Sequence, residues 1–221
     1  MSLLVPEFHI ILGHYDASML RLSDEMAAAR RLRKVYVRAV SRHEAGTPIE
    51  NLRDFISPME GRRMCALLKS ALVTSMAALR DAGIGRPDGI FVGTRYGMLG
   101  NSEKFLTAMC QDGEHTLGPT LFMQSTHNTI AGMLALRTGC HGYNITFTQG
   151  RRSLDCVLLD AAMHIAMGRL DTALVGCHEE MTPVFHDLLM KLTGEDVPVG
   201  ESSVAMVLTS DAENALYELD L

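Results

Sequence analysis

The chain has 221 residues, of which 47% are apolar and 21% charged, so it is long enough to bury a core and too apolar to be disordered. Its net charge of −6 and its 5% aromatic content, without Trp, argue against a basic or base-stacking nucleic-acid interface. No apolar run is long enough to span a bilayer, and residues 1–6 lack the basic start of a signal peptide. We therefore expect one cytoplasmic domain over residues 1–221.

The cysteines and histidines of the chain show no ligand pattern. The 5 Cys are an odd number, widely spaced and without a C-x-x-C pair, which indicates reduced and mostly buried thiols rather than a disulfide framework. None of the 9 His pairs with another His or a Cys at ligand spacing. The sequence therefore indicates no metal site, and it indicates no cofactor.

The first half of the chain is predicted to alternate between strands and helices. The clearest helix start is Ser57, because Pro58 suits the first helical position and Glu60 completes a capping box. The predicted elements are, in order, a strand over residues 9–12, a strongly basic helix over 22–42, a helix from Ser57 to Gly83, a strand over 90–92 and a helix over 103–109.

The second half continues this alternation. Its predicted elements are a polar loop over residues 111–119, a helix over 126–137 ended by Gly139, a strand over 143–148, a tight turn over 149–152, an apolar helix over 153–167, a strand over 172–175, a helix over 184–192 and strands over 203–208 and 215–219. Strands that alternate with helices predict an α/β layered fold, with a mixed β-sheet flanked by helices.

The turn over residues 149–152 is the place where chemistry is most expected. A strand that breaks through a tight turn into a helix holds a side chain at the helix N-terminus, where free N–H groups favour negative charge. A Cys in this position would have a lowered pKa and would be a ready nucleophile. The turn instead carries Arg151 and Arg152, which stay protonated and cannot attack a carbonyl. The local scaffold is typical of a catalytic site, but the residue is not.

An ordered set of short motifs surrounds this turn. The set comprises Arg62-Arg63-Met64, Val92-Gly93-Thr94, the strand over 142–146 with its turn, Gly168-Arg169-Leu170-Asp171, Ala173-Leu174-Val175-Gly176 and Gly200-Glu201-Ser202-Ser203. In order and spacing these motifs resemble the N-terminal half of the β-ketoacyl-acyl-carrier-protein synthases. The resemblance covers nearly the whole chain and implies a thiolase-like layered fold, N-terminal half only. In that family the turn carries a nucleophilic Cys, and the helix after it lies between two sheets, one from each half.

The chain departs from this family at the catalytic residues. The resemblance places the nucleophile at Arg151, or at Gly150 if the alignment is anchored on Leu154-Asp155, and neither residue is Cys. The family's two catalytic His, which bind and decarboxylate malonyl thioesters, come from the C-terminal half, and this chain ends near where that half would begin. Because the family's condensation needs both Cys and His, the resemblance implies a protein that is inactive alone.

Three functions are compatible with this resemblance. The first is a non-catalytic partner or accessory subunit, similar to a chain length factor, in type II fatty-acid or polyketide-type acyl chain assembly. The second is an acyltransferase or malonyl decarboxylase that is active only in complex with a full synthase. In that case the acyl chain would enter beside Phe122, Met123 and Gln124, which are candidate residues for an acyl tunnel or an interface. The third is a structural or ligand-binding remnant.

The residues of the turn have alternative interpretations. Gln149 resembles the Gln that replaces Cys in chain-length partners and decarboxylases, although it precedes the aligned site by two positions. Arg151 could hold an anion with the helix N-terminus, either a ligand phosphate or the carboxylate of Glu179 or Glu201; otherwise the two Arg fill an abandoned pocket or face solvent. Ser153 is expected to cap the helix. Gly150 and Arg152 complete this candidate pocket, and Cys156 is expected to be a core thiol.

Two further features of the sequence predict partners. The helix over residues 153–167 is apolar nearly all round, and in the absence of a second half its outer face needs cover. We therefore expect a homodimer or a heterodimer with a catalytic synthase. A local basic cluster on an acidic chain suits docking of an acidic acyl carrier protein, the alternative being a solvated face. The candidate docking residues are Arg30, Arg31, Arg33, Lys34 and Arg38.

Overall fold

The computed structural model describes residues 32–112 and 118–219. These residues form one mixed sheet of six strands: β1 (Val35–His43), β2 (Gly89–Gly93), β3 (Tyr143–Phe147), β4 (Thr172–Met181), β5 (Gly200–Thr209) and β6 (Tyr217–Leu219). The strand order is β3-β2-β4-β5-β1-β6. Strand β2 runs parallel to β3 and β4, whereas the pairs β4–β5, β5–β1 and β1–β6 are antiparallel. The expected mixed sheet is therefore confirmed.

Helices cover both faces of the sheet. The helices are α1 (Leu52–Phe55), α2 (Pro58–Gly61), α3 (Ala66–Asp81), α4 (Leu99–Asp112), α5 (Pro119–Met123), α6 (Thr129–Thr138), α7 (Ser153–Ala166) and α8 (Pro183–Thr193). Helices α3 and α6 pack on one face, where Leu72 and Leu134 meet strand residues such as Val92. Helix α7 packs on the opposite face, where Val157 and Ile165 meet Phe91 and Val175. The expected layered arrangement is thus confirmed, with one hydrophobic core on each side of the sheet.

The prediction of a helix over residues 22–42 is wrong in the part that the structure describes, because residues 35–43 form the strand β1. Val35, Val37 and Ala39 are buried, and they alternate with more exposed neighbours. This period of two is that of a half-buried strand, and the Arg and Lys between the apolar residues hid it. The strand predicted over residues 9–12 lies outside the described residues.

The helix predicted from Ser57 to Gly83 is divided into two helices. The side chain of Ser57 accepts a hydrogen bond from the backbone N–H of Glu60, at 3.3 Å, so the predicted start is confirmed. The carboxylate of Glu60 pairs with Arg137. Helix α2 ends at Gly61, and the thiol of Cys65 caps a new helix by accepting from the backbone N–H of Leu68, at 3.4 Å.

Strand β4 is longer than the sequence predicted. The expected end was near Gly176, but β4 continues through Cys177, His178, Glu179 and Glu180 to Met181. Antiparallel pairing with β5 sustains this polar extension, since Met181 still lies opposite Gly200. The extension carries ionisable side chains past the end of β2, and this is where the candidate site forms.

Candidate functional site

The site lies where β2, β3 and the extension of β4 meet at one edge of the sheet. The carboxyl ends of parallel strands gather at the same edge, which is a common place for ligand sites in α/β proteins. A cleft of about 660 Å³ opens there. Among the described residues that line it are Arg95, Tyr96, Arg151, Cys177, Glu179 and Glu195.

The turn between β3 and α7 is held tightly against the end of β2. Gly150 adopts a φ of 60°, a conformation that favours glycine, and begins the 3-10 turn Gly150–Arg152. A Cβ on Gly93 would come within 2.9 Å of the carbonyl oxygen of Ser153, so this close approach needs glycine. The start of α7 is therefore fixed directly on the sheet.

Ser153 does not cap α7, contrary to our expectation. The N-cap residue is Arg152, which makes no side-chain cap. The buried hydroxyl of Ser153 accepts a hydrogen bond from the backbone N–H of Gln149, at 2.9 Å. The same hydroxyl lies 2.8 Å from the carbonyl of Gly150 and 3.0 Å from that of Thr94, and it can donate to one of them at a time. Ser153 thus joins the turn to the end of β2.

Arg151, the residue at the expected nucleophile position, is bound to a carboxylate. Its Nη2 lies 2.9 Å from Oε1 of Glu195, in the segment that follows α8. Arg95 holds the same carboxylate with both guanidinium Nη atoms, at 2.5 and 3.0 Å. These hydrogen bonds, first from Arg95 and then from Arg151, lower the pKa of Glu195 to about 2. The anion that Arg151 contacts is therefore neither Glu179 nor Glu201, the two carboxylates named from the sequence.

Glu179 and Cys177 form a second, more buried pair in the cleft. Oε1 of Glu179 accepts a hydrogen bond from the backbone N–H of Arg95, at 2.6 Å, and the Cys177 thiol donates to the same oxygen, at 3.7 Å. Burial raises the pKa of Glu179. Burial also raises the pKa of the Cys177 thiol, and the Glu179 carboxylate raises it further. Cys177 is consequently a protonated thiol and not a thiolate nucleophile.

The other residues of the predicted pocket lie around this centre. Gln149 is exposed and does not belong to the described lining of the cleft, whereas Gly150 does. Arg152 is exposed beside the turn. Cys156 is half-buried on α7. Glu201 lies with Oε1 3.8 Å from Nε2 of His43. The structure thus brings Arg151 into the cleft, whereas Gln149 and Arg152 are exposed outside its described lining.

The candidate tunnel or interface residues lie on a different part of the surface. Phe122 and Met123 of α5 are 58% and 61% exposed, and Leu106 of α4 is 52% exposed. The ring of Phe122 lies 5.7 Å from that of Phe105. Gln124 instead lines a separate cavity of about 330 Å³, whose other lining residues include three methionines. We call the exposed Leu106, Phe122 and Met123 the α4–α5 patch.

The described part of the predicted basic cluster is paired with carboxylates of the same chain. Arg33 lies 2.5 Å from Asp171, Lys34 lies 2.9 Å from Glu218, and Arg38 lies 2.7 Å from Asp211. Arg30 and Arg31 lie outside the described residues. An acidic partner at this surface would compete with these carboxylates, and docking of a carrier protein there stays a prediction.

The strand, the tight turn and the helix of this site, set on a mixed six-stranded sheet, have the thiolase-like architecture of a ketosynthase N-terminal domain. A family model described as the beta-ketoacyl synthase, N-terminal domain, matches residues 38–219. The chain belongs to this family.

Solved structures share this fold. The ketosynthase ApeO in complex with its chain length factor ApeC from Xenorhabdus doucetiae matches with a TM-score of 0.65 and 18% identity, over 81% of this chain and 80% of that one. The ishigamide ketosynthase/chain length factor matches with a TM-score of 0.64 and 20% identity, over 84% and 63%. A type II PKS acyl-carrier protein in complex with its ketosynthase bound to the hexaketide (AntDE:AntF) matches with a TM-score of 0.73 and 18% identity. The match covers 86% of this chain and 67% of that one. The chain therefore spans about two thirds of the latter two chains.

Sequence reasoning missed Arg95, Tyr96, Cys177 and Glu195 as lining residues. A usable signal existed for Arg95 and Tyr96, because they lie two and three residues after the end of β2, whose neighbour β3 ends just before the turn. No such signal existed for Glu195, which comes from the distant segment after α8. Within the described residues, no group of His, Cys, Asp and Glu could hold a metal ion, and no helix is long and apolar enough to cross a membrane.

Proposed function

We propose that this chain is a non-catalytic subunit, similar to a chain length factor, that pairs with a catalytic β-ketoacyl synthase in type II fatty-acid or polyketide-type assembly. The proposal rests on the ion pair that Arg151 forms with Glu195. The residue at the expected nucleophile position is a guanidinium bound to Glu195. Acyl transfer by the family's mechanism needs a thiolate there, and an Arg side chain cannot supply a nucleophile.

Neither Cys177 nor Cys156 is suited to replace the missing nucleophile. Cys177 lines the cleft, but burial and the adjacent Glu179 keep its thiol protonated. Cys156 begins the second turn of α7 and does not belong to the described lining of the cleft. The bound carboxylate of Glu195 also occupies the two guanidinium groups that could receive an anionic ligand. The cleft as described is therefore suited to a structural role.

The α4–α5 patch is the surface we assign to the synthase partner. Its three large apolar side chains are more than half exposed and lie on two helices that pack against each other, an arrangement typical of a protein interface. Two of the similar solved structures are described as a ketosynthase with a chain length factor. These descriptions support a partner of the synthase class. The experiment below distinguishes a heterodimer from a homodimer.

The test combines a binding assay with an activity assay. The chain is co-expressed with a Cys-containing synthase from the same organism and purified through a tag on the chain alone. We expect the synthase to co-purify, Phe122→Asp to reduce its recovery about tenfold or more, and Leu136→Asp to leave recovery unchanged. Leu136 is the matched control because it is 81% exposed on α6.

The activity assay separates a partner from an enzyme. We expect the purified chain to release no CO₂ from malonyl-acyl-carrier protein, and the complex to lose condensation entirely when the synthase Cys is replaced by Ala. Decarboxylation by the chain alone, reduced in its Gln149→Ala variant, would overturn the non-catalytic assignment in favour of a decarboxylase. Absence of both activity and co-purification would favour a remnant without a partner.

A further inference from the structure

Two guanidinium groups from separate parts of the chain meet on one carboxylate in the cleft. Arg95 follows the end of β2, and Arg151 lies in the turn before α7. Arg95 donates to both carboxylate oxygens of Glu195, at 2.5 and 3.0 Å, and Nη2 of Arg151 lies 2.9 Å from Oε1. A planar guanidinium that holds both oxygens is the geometry by which proteins recognise carboxylates. We call Arg95 and Arg151 the guanidinium clamp.

The carboxylate in the clamp belongs to a segment without regular structure. This segment, residues 195–199, joins α8 to β5. Outside the clamp its hydrogen bonds include one from the backbone N–H of Glu195 to the Thr193 hydroxyl, at 3.2 Å. They also include the exposed pair of His186 and Asp196, at 3.0 Å. Release of Glu195 from the clamp therefore disrupts no helix and no strand.

The cleft provides room for the rest of a ligand beside the clamp. It has a volume of about 660 Å³, and its lining includes the apolar side chains of Leu154, Met181 and Val197. The hydroxyl oxygen of Tyr96, another lining residue, is buried and has no hydrogen-bond partner among the described residues. A phenol in this state has an unused donor. The cleft therefore combines an apolar wall, an unused donor and the guanidinium clamp.

The charges around the clamp favour a ligand with one negative charge. Glu195 stays ionised at neutral pH, because hydrogen bonds from Arg95 and Arg151 lower its pKa to about 2. When it leaves, two guanidinium charges remain beside the carboxylate of Glu179, which accepts from the backbone N–H of Arg95 at 2.6 Å. A carboxylate monoanion balances the remaining charge better than a phosphate, which carries nearly two negative charges.

We propose that the guanidinium clamp is a binding site for an organic carboxylate with an apolar body, and that Glu195 is its built-in competitor. In the described state Glu195 fills the site, and a ligand binds by displacing it. Only molecules in which Glu195 is released can bind, so the apparent affinity of the wild type is reduced in proportion to their fraction. Removal of the negative charge of Glu195 should therefore strengthen ligand binding.

Isothermal titration calorimetry of the purified chain with sodium hexanoate tests this site. The assay needs no synthase and no acyl transfer, so its outcome is independent of the proposed function. We expect Glu195→Gln to bind hexanoate about tenfold more tightly than the wild type, because a neutral amide competes less well for the clamp. The matched control Asp196→Asn should keep the wild-type Kd, since Asp196 is 81% exposed and pairs with His186. Adding Arg95→Met to Glu195→Gln should weaken binding about tenfold or more.

Two further ligands separate the parts of the proposal. Hexanamide has the same apolar body without the charge, and Glu195→Gln should bind it about tenfold more weakly than hexanoate. Hexanoate should also raise the Tm of the wild type by about 2 °C more than hexanamide at the same concentration, a readout that needs no variant. Equal Kd values of the wild type and Glu195→Gln, or equal Tm values in the two ligands, would overturn the proposal. If Glu195→Gln binds inorganic phosphate more tightly than hexanoate, the carboxylate assignment is wrong and the clamp is a phosphate site.

Discussion

The buried His178 predicts a specific loss of stability in mild acid. Its side chain is fully buried on β4, and neither ring nitrogen has a hydrogen-bond partner among the described residues. The ring lies against Gly176, where a Cβ would overlap Nε2. Burial lowers the pKa of His178 from 6.5 to about 3, so the folded chain holds a neutral imidazole.

The sign and size of the effect follow from proton linkage. Below pH 6.5 the unfolded chain binds a proton at His178 that the folded chain does not bind, so stability falls as the pH falls from 6.5 towards 3. One proton changes the free energy of unfolding by about 1.4 kcal/mol per pH unit. Between pH 7 and pH 5 the contribution of His178 amounts to a loss of about 2 kcal/mol.

Urea unfolding at pH 7 and pH 5 measures this loss directly. The variant His178→Met keeps a buried side chain of similar size and removes the titrating group, so it should lose about 2 kcal/mol less than the wild type over this range. The exposed His141 provides the control, because His141→Met should follow the wild type. Parallel losses in the wild type and in His178→Met would show that the folded state binds the proton and would refute this reasoning.

Two further predictions concern the site. Gly93→Ala should destabilise the chain by about 2 kcal/mol in urea unfolding, because the new Cβ would meet the backbone of Ser153. In the control, Gly132→Ala on the open surface of α6 should stabilise the chain by about 0.5–1 kcal/mol. Equal effects of the two substitutions would contradict the close packing of the turn. Iodoacetamide at pH 8 should modify the exposed Cys110 much faster than Cys177, whose pKa is raised, as followed by mass spectrometry. Comparable rates would restore Cys177 as a candidate nucleophile.

The alternation of elements in the second half of the chain could be predicted from the sequence because it depends on local signals. The tight turn before α7 and the ends of α6 and α7 are fixed by glycines and by apolar periodicity, and the structure places them within a few residues of the predictions. Strand β1 was mistaken for a helix because Arg38 and its basic neighbours obscured a period-two burial pattern. These basic side chains form ion pairs with carboxylates that are distant in sequence, such as Asp211. Such long-range pairs cannot be predicted from a local sequence pattern.

The position of the site could be predicted from the sequence, but most of the residues that line it could not. The strand–turn–helix signature located the cleft at Arg151, and the structure places Arg151 there. The identity of its anionic partner depends on a long-range contact, since Glu195 reaches Arg95 and Arg151 across the sheet edge. The polar extension of β4 was also not predicted, because Glu179 and Glu180 belong to a residue type that is depleted in strands, and pairing with β5 retains them there.

The mass of the complex formed with a catalytic synthase tests the central claim most directly. The chain is co-expressed with a Cys-containing synthase of its own organism, and the tagged chain is analysed by native mass spectrometry. Our account predicts a complex with equal numbers of this chain and the synthase, which is lost in Phe122→Asp and kept in Leu136→Asp. A chain that is recovered without the synthase and that decarboxylates malonyl-acyl-carrier protein by itself would contradict the account.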